Sequence, residues 1–197
     1  HTLRSTDGGA SWGPATAIEP APGAMDRLPG VPARGAVRGR SVSLPDGSAL
    51  MPVYGGGRPS PSLAYRSTDG GLNWRFLSVI AQDATVDMHE PHLHLCPSGK
   101  VVAFIRTAGL DGYLAMCHST DGGATWSEWA QTEVWGHPFT TAVAPDGRVL
   151  LAYGYRREPF GVRCLVLDPE CETFDMAGEL LLRDDLYNFD IGYPWAV

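Results

Sequence analysis

Five side chains in this sequence have the types and the spacing to do chemistry together: Glu90, Arg106, His137, Arg156 and Tyr193. Glu90 stands eight residues before Ser98 of a Ser-Gly turn, and Arg106 stands eight after it. His137 and Arg156 flank the Asp-Gly turn at Asp146 in a similar manner. Arginine grips a carboxylate through two parallel N–H bonds, and a carboxylate beside a phenol can take its proton. Anion binding and proton transfer are the chemistries these types offer. Each residue also has a bland reading: Glu90 beside Pro91 can merely start a strand, Arg106 and Arg156 can be solvated strand ends, and Tyr193 in GYPWAV can be a core aromatic. In YGYRREPFGVR, Arg157 and Arg163 compete with Arg156, which is preferred on strand register; Arg38, eight before Asp46, is a further rim candidate. His92, His94 and His137 read as packing or rim residues. A His-x-His pair on a strand points both rings to one face, but no third ligand is evident. No metal site and no cofactor is expected.

The elements that must position these side chains are repeats. RSTDGGASW (Arg4 to Trp12), RSTDGGLNW (Arg66 to Trp74) and HSTDGGATW (His118 to Trp126) share one box, and LDPECETF from Leu167 to Phe174 is a degenerate fourth. Tight-turn signals at LPDGS, CPSGK and APDGR interleave with the boxes, each of the Asp-Gly or Ser-Gly kind that closes hairpins. The interval from turn to box is 23 residues from Asp46 to Asp69, 23 from Ser98 to Asp121 and 22 from Asp146 to Asp168. Short apolar runs fill the gaps, and no segment has a helical period. Four antiparallel strands per repeat of about fifty residues make a β-propeller blade.

The expected fold is therefore all-β. Three full blades are expected at residues 31–83, 84–134 and 135–184, with partial blades at 1–30 and 185–197, so that residues 1–197 form a single partial propeller domain. A four-bladed ring is the alternative, although its terminal pieces would lack one strand. Unpaired terminal strand edges would favour self-association. In the box, Asp7, Asp69 and Asp121 should accept hydrogen bonds from their own turns, while Trp12, Trp74 and Trp126 pack as anchors. These are structural roles.

Composition excludes several classes. With 15 Lys plus Arg against 22 Asp plus Glu, the net charge is −7, and no basic stripe exists to follow a phosphate backbone, so nucleic acid is not an expected partner. No apolar run approaches the ~18 residues of a membrane span. The sequence starts at His1 with no basic or apolar leader, so no targeting segment is expected in it and localisation is unreadable. Cys96, Cys117, Cys164 and Cys171 show no paired-cysteine or His/Cys metal spacing and are expected to be buried thiols.

The S-x-D-x-G-x-T-W box resembles the Asp-box of the bacterial neuraminidase repeat, shared by sialidases and related six-bladed propellers. HEPHLHLCPSGKVVAFIRT is similar to the sialidase segment in which a Glu opening the innermost strand is followed by an Arg closing the next. The resemblance implies a six-bladed ring when complete. It implies an exo-glycoside hydrolase that removes a terminal acidic sugar, sialic acid, from glycoconjugates. Tyr193 would be the nucleophile, Glu90 its activating base, and Arg106 and Arg156 two members of a carboxylate clamp, with His137 and Arg163 as further substrate-binding candidates. A tyrosine nucleophile avoids setting a carboxylate against an anionic substrate. The family's first clamp Arg and its Asp acid/base come from a first blade with no counterpart in these residues, so the chain by itself is expected to be catalytically incomplete. A typical bacterial member would be secreted or periplasmic. Two other readings stay open: a non-catalytic Asp-box propeller that binds a glycan or protein, and a hydrolase acting on a different acidic sugar.

Overall fold

Each Asp-Gly or Ser-Gly turn closes a tight hairpin because its glycine takes a left-handed φ, +83° at Gly47 and +88° at Gly99 and Gly147, a region that costs other residues a Cβ clash. The amide of each glycine donates to the carbonyl three residues back, at Leu44, Cys96 and Ala144 (2.9–3.0 Å). In the computed structural model, which describes residues 1–20, 35–57, 59–190 and 193–195, these hairpins nucleate three antiparallel sheets. The first holds β1 (Gly35–Ala36) and β2 (Val42–Ser43), both paired with β3 (Ala49–Gly55), then β4 (Ser62–Ser67) and β5 (Arg75–Ala81). The second runs β6 (Asp87–Leu95), β7 (Val101–Ala108), β8 (Tyr113–Ser119) and β9 (Ala130–Trp135). The third runs β10 (Phe139–Val143), β11 (Val149–Tyr155), β12 (Gly161–Leu167) and β13 (Leu180–Arg183). One 3-10 turn, Met176–Gly178, is the only helical element among the described residues. The fold is all-β with sheets of propeller-blade type, as the repeat requires.

Adjacent sheets bury their faces against each other. Leu50, Ala64 and Ile80 of the first sheet pack with Met88, Leu93 and Ile105 of the second. Phe104, Leu114 and Val134 of the second pack with Phe139, Leu151 and Tyr153 of the third. Burying one such aliphatic or aromatic side chain is worth about 1.5–3 kcal/mol, so the joints between blades carry much of the core, with a third cluster of Met51, Val53, Leu63, Tyr65 and Trp74 within the first.

The boxes lie between the third and fourth strands, as their turn chemistry demands. At Asp69, Oδ1 accepts from the Asn73 amide (2.9 Å) and Oδ2 from the Asn73 side chain (2.7 Å), while Ser67 Oγ donates to Oδ1 (2.8 Å) and accepts from the Gly71 amide (2.9 Å). Asp121 repeats this with Thr125 and Ser119, and Asp7 with Ser11 and Ser5. These bonds favour the ionised carboxylate and draw all three aspartates down to about 2. Trp74 is buried, and Trp126 is half-buried, with its indole N–H reaching Ser78 (3.1 Å). Trp12 differs from expectation and is 61% exposed. Its segment makes an isolated Thr2–Thr16 bridge, so among the described residues the indole has no sheet to lie under. Parts of the two terminal regions, residues 21–34, 191–192 and 196–197, lie outside the described residues.

Two further departures shape the site. The innermost strand of the first sheet is broken into β1 and β2, with Arg38 in the break. The second begins three residues earlier than the register predicts, at Asp87, so Glu90 sits inside β6 rather than opening it.

Candidate functional site

Proline at position 91 cannot donate to a ladder, and a strand that carries one commonly bulges there. In β6 the pairing passes from His89 opposite Arg106 to His92 opposite Phe104, which gives one extra residue on the β6 side. Glu90 occupies this bulge with φ +45° and is only 6% exposed. The bulge aims its carboxylate at two partners. Oε2 accepts from Arg106 Nη1 at 3.0 Å, and Oε1 accepts from the Tyr193 hydroxyl at 2.9 Å.

Tyr193 lies in no strand. It is 55% exposed, so its ring stands at an open mouth while its hydroxyl reaches inward. The guanidiniums of Arg38 and Arg156 each lie 5.7 Å from the ring centroid. Arg38 donates to the carbonyls of Phe139 and Pro194, the latter at 2.9 Å. It therefore ties the start of β10 to the residue after Tyr193, which makes it a positioning group. Arg156 directly follows β11 and lies 4.0 Å from the exposed Asp190 carboxylate. Three guanidiniums thus gather about one buried carboxylate and one phenol.

His137 precedes β10, and its amide donates to Gly154 at 2.9 Å. Burial pushes its imidazole down to about 4, with the charges of Arg106 and Arg156 adding to the effect. The ring is neutral at neutral pH. Burial also pushes the Tyr54 phenol up, and the nearby Glu90 carboxylate pushes it the same way.

The structure brings together Glu90, Arg106, Arg156 and Tyr193, with His137 close enough to feel both arginines. Arg163 is placed elsewhere: its Nη1 donates to Glu179 at 2.5 Å, the Tyr153 hydroxyl donates to the same carboxylate, and the guanidinium stacks 3.6 Å over Tyr155. Arg157 stacks 3.9 Å over Trp135. Sequence reasoning missed that aromatic rim, in which Trp135 and Tyr155 meet edge to face at 5.2 Å. The one available signal was that Trp135 belongs to no box. His92 and His94 are buried, and both bond to Thr141, at 2.9 and 3.2 Å.

Residues 1–197 match the BNR repeat-like domain over their whole length. No curated protein matches the chain significantly. Among solved structures, a protein of unknown function from Dyadobacter fermentans has 35% identity and a TM-score of 0.89 over 98% of this chain and 54% of that one. The NanB sialidase from Streptococcus pneumoniae has 18% identity and a TM-score of 0.68, over 94% of this chain and 29% of that one. An α-L-arabinanase from Penicillium chrysogenum, complexed with arabinobiose, has 16% identity and a TM-score of 0.58, over 75% and 50%. The chain spans about half the length of the Dyadobacter protein, and the likenesses to the two glycosidases concern the fold.

Proposed function

Because the chain belongs to the BNR repeat-like domain family, whose fold it shares with glycoside hydrolases, we propose that it carries the nucleophile side of a sialidase-like exo-glycosidase. The observation that supports this reading best is the Tyr193 hydroxyl donating to Glu90 at 2.9 Å while Arg106 holds the other oxygen of the same carboxylate. An unaided phenol, with a pKa of about 10, is a weak nucleophile at neutral pH. Glu90 takes the Tyr193 proton as the phenol oxygen bonds to the anomeric carbon, and the aglycone leaves with a proton from a separate acid. Water then releases the sugar from the tyrosine.

The guanidiniums fit an acidic sugar better than a neutral one. Arg106 and Arg156 are the clamp members, with neutral His137 between them and the rim. Arg163, held by Glu179, is not retained as a clamp member. Three guanidiniums share the one buried carboxylate of Glu90, and a second carboxylate, brought by an acidic sugar, would add to their charge balance where an arabinan-type neutral sugar would not.

The test uses the natural full-length protein, a fluorogenic sialoside for turnover and free N-acetylneuraminate for binding by calorimetry. Tyr193→Phe is expected to abolish release of the aglycone and to leave sugar binding largely intact. Arg106→Ala is expected to weaken binding by about 1.5–3 kcal/mol, the worth of a charge-assisted bond. Turnover surviving in Tyr193→Phe would overturn the nucleophile assignment. Binding of the acid without turnover in the unmodified protein would move the glycan-binding propeller ahead of the enzyme.

A further inference from the structure

At the end of the sheets opposite the mouth, the repeat is broken, among the described residues, at one joint in a way that gathers metal-binding atoms. The residue before each turn proline is Leu44 in the first blade, Cys96 in the second and Ala144 in the third. Two positions earlier stand Val42, His94 and Ala142. The first and third blades are thus apolar at both places, and the second carries imidazole and thiol. The facing turn belongs to the third blade's degenerate box. There Pro169, Glu170 and Cys171 replace the paired glycines, and Cys171 takes a left-handed φ of +55°. The outcome is that a ring nitrogen of His94 and the sulfurs of Cys96 and Cys171 lie within 4.8 Å of one another, all three residues buried.

We propose that His94, Cys96 and Cys171 form a zinc site that staples the second blade to the third. Tetrahedral zinc with Zn–S of about 2.3 Å and Zn–N of about 2.0 Å holds its ligand atoms about 3.5–3.8 Å apart, so from a spread within 4.8 Å the cluster needs to tighten by at most about 1.3 Å. The Thr141 amide, which can only donate, donates to His92 Nε2 at 3.1 Å, so that nitrogen carries a lone pair. The amide takes that lone pair, and Thr141 Oγ1, 3.2 Å from His94 Nδ1, accepts from this nitrogen in the metal-binding tautomer. The opposite nitrogen of His94, Nε2, is left bare for a metal, in the way that outer partners orient ligating imidazoles. Binding releases the two thiol protons to solvent, and the two thiolates neutralise the dication. The fourth position faces a cleft of about 340 Å³ lined by Pro97, Gly99, Val143 and Pro169, with room for a water ligand. Hydrogen bonds already join the same two turns, from Ser98 and Lys100 to Glu170 and Glu172 (2.6–3.0 Å). The sequence hid the site because its ligands come from different blades.

The experiment takes the protein reduced and stripped with a chelator, then titrates it with cobalt(II) as a spectroscopic probe and with zinc. One equivalent of cobalt is expected to raise a thiolate-to-metal charge-transfer band together with the strong visible bands of a tetrahedral ion. Cys171→Ser should abolish the charge-transfer intensity at one equivalent, and Thr141→Val should weaken zinc binding about 10–100-fold. In the unmodified protein, which does not depend on a variant folding, zinc should shield Cys96 and Cys171 from alkylation while Cys117 and Cys164 react as before. Absence of the charge-transfer band, or equal alkylation of Cys96 and Cys171 with and without zinc, would overturn the proposal. A Cys96–Cys171 disulfide that persists in the folded protein with zinc present would overturn it as well.

Discussion

Replacing Arg106 by methionine removes one of the two partners of a carboxylate that is only 6% exposed. Losing one member of a buried ion pair costs about 3–5 kcal/mol when the remaining charge has nowhere to turn. Here Glu90 keeps the Tyr193 hydroxyl, and the Arg106 side chain is itself 24% exposed. The loss should therefore fall at or below the low end, at about 2–3 kcal/mol. For a chain of this length each kcal/mol moves Tm by about 2–4 °C, so Tm should drop by about 4–12 °C. Urea unfolding at pH 7 of the unmodified protein, Arg106→Met, Glu90→Gln and the double variant closes a cycle. Once Glu90 is neutral, the loss of Arg106 no longer strands a charge, and the double variant should cost at least about 1 kcal/mol less than the sum of the singles. Additivity within about 0.5 kcal/mol, with a comparably small effect of Arg106→Met alone, would refute the idea that the pair is buried and coupled.

Other outcomes follow from the same geometry. A Cβ on Gly39 would lie 2.5 Å from the Pro91 carbonyl oxygen and 3.1 Å from the His92 backbone, so Gly39→Ala should push the β6 bulge, destabilise by about 1–3 kcal/mol and weaken acid binding, both read by urea melts and calorimetry. The imidazole of His137 should titrate by NMR with a midpoint near 4. Its folded value lies below the ordinary one near 6.5, so the unfolded chain binds more protons between those pH values and stability falls as pH drops through that window. A midpoint near 6.5 would show that the ring is neither buried nor beside the arginines. Asp69, drawn down from 3.8 to about 2 by its own turn, contributes stability that is present above about pH 4 and lost as pH falls toward 2; Asp69→Ala should lower Tm at pH 7 and flatten the acid limb of the melt.

The repeat was legible because turn glycines and box aspartates act within a few residues, and their intervals alone place the four strands of a blade. The same register brought Glu90, Arg106 and Arg156 near one mouth. What it could not convey depends on contacts between strands. The bulge at Glu90–Pro91 needs the β7 partner to be counted, and the break that frees Arg38 depends on β3 pairing with two short strands. Arg163 looks equivalent to Arg156 until Glu179, sixteen residues later, is seen to hold it. Trp12 carries the same box as Trp74, yet it is exposed because burial depends on the sheet above the box, not on the box itself.

The central claim is that the Tyr193 oxygen, activated by Glu90, bonds to the sugar. It is tested most directly by incubating the full-length protein with a fluorinated sialic acid whose glycosyl-enzyme breaks down slowly, then mapping the adduct by peptide mass spectrometry. The account predicts one sugar per chain, attached to Tyr193, and none in Tyr193→Phe or in protein saturated with N-acetylneuraminate. An adduct on any other residue, or sialoside hydrolysis with no adduct on Tyr193, would contradict it.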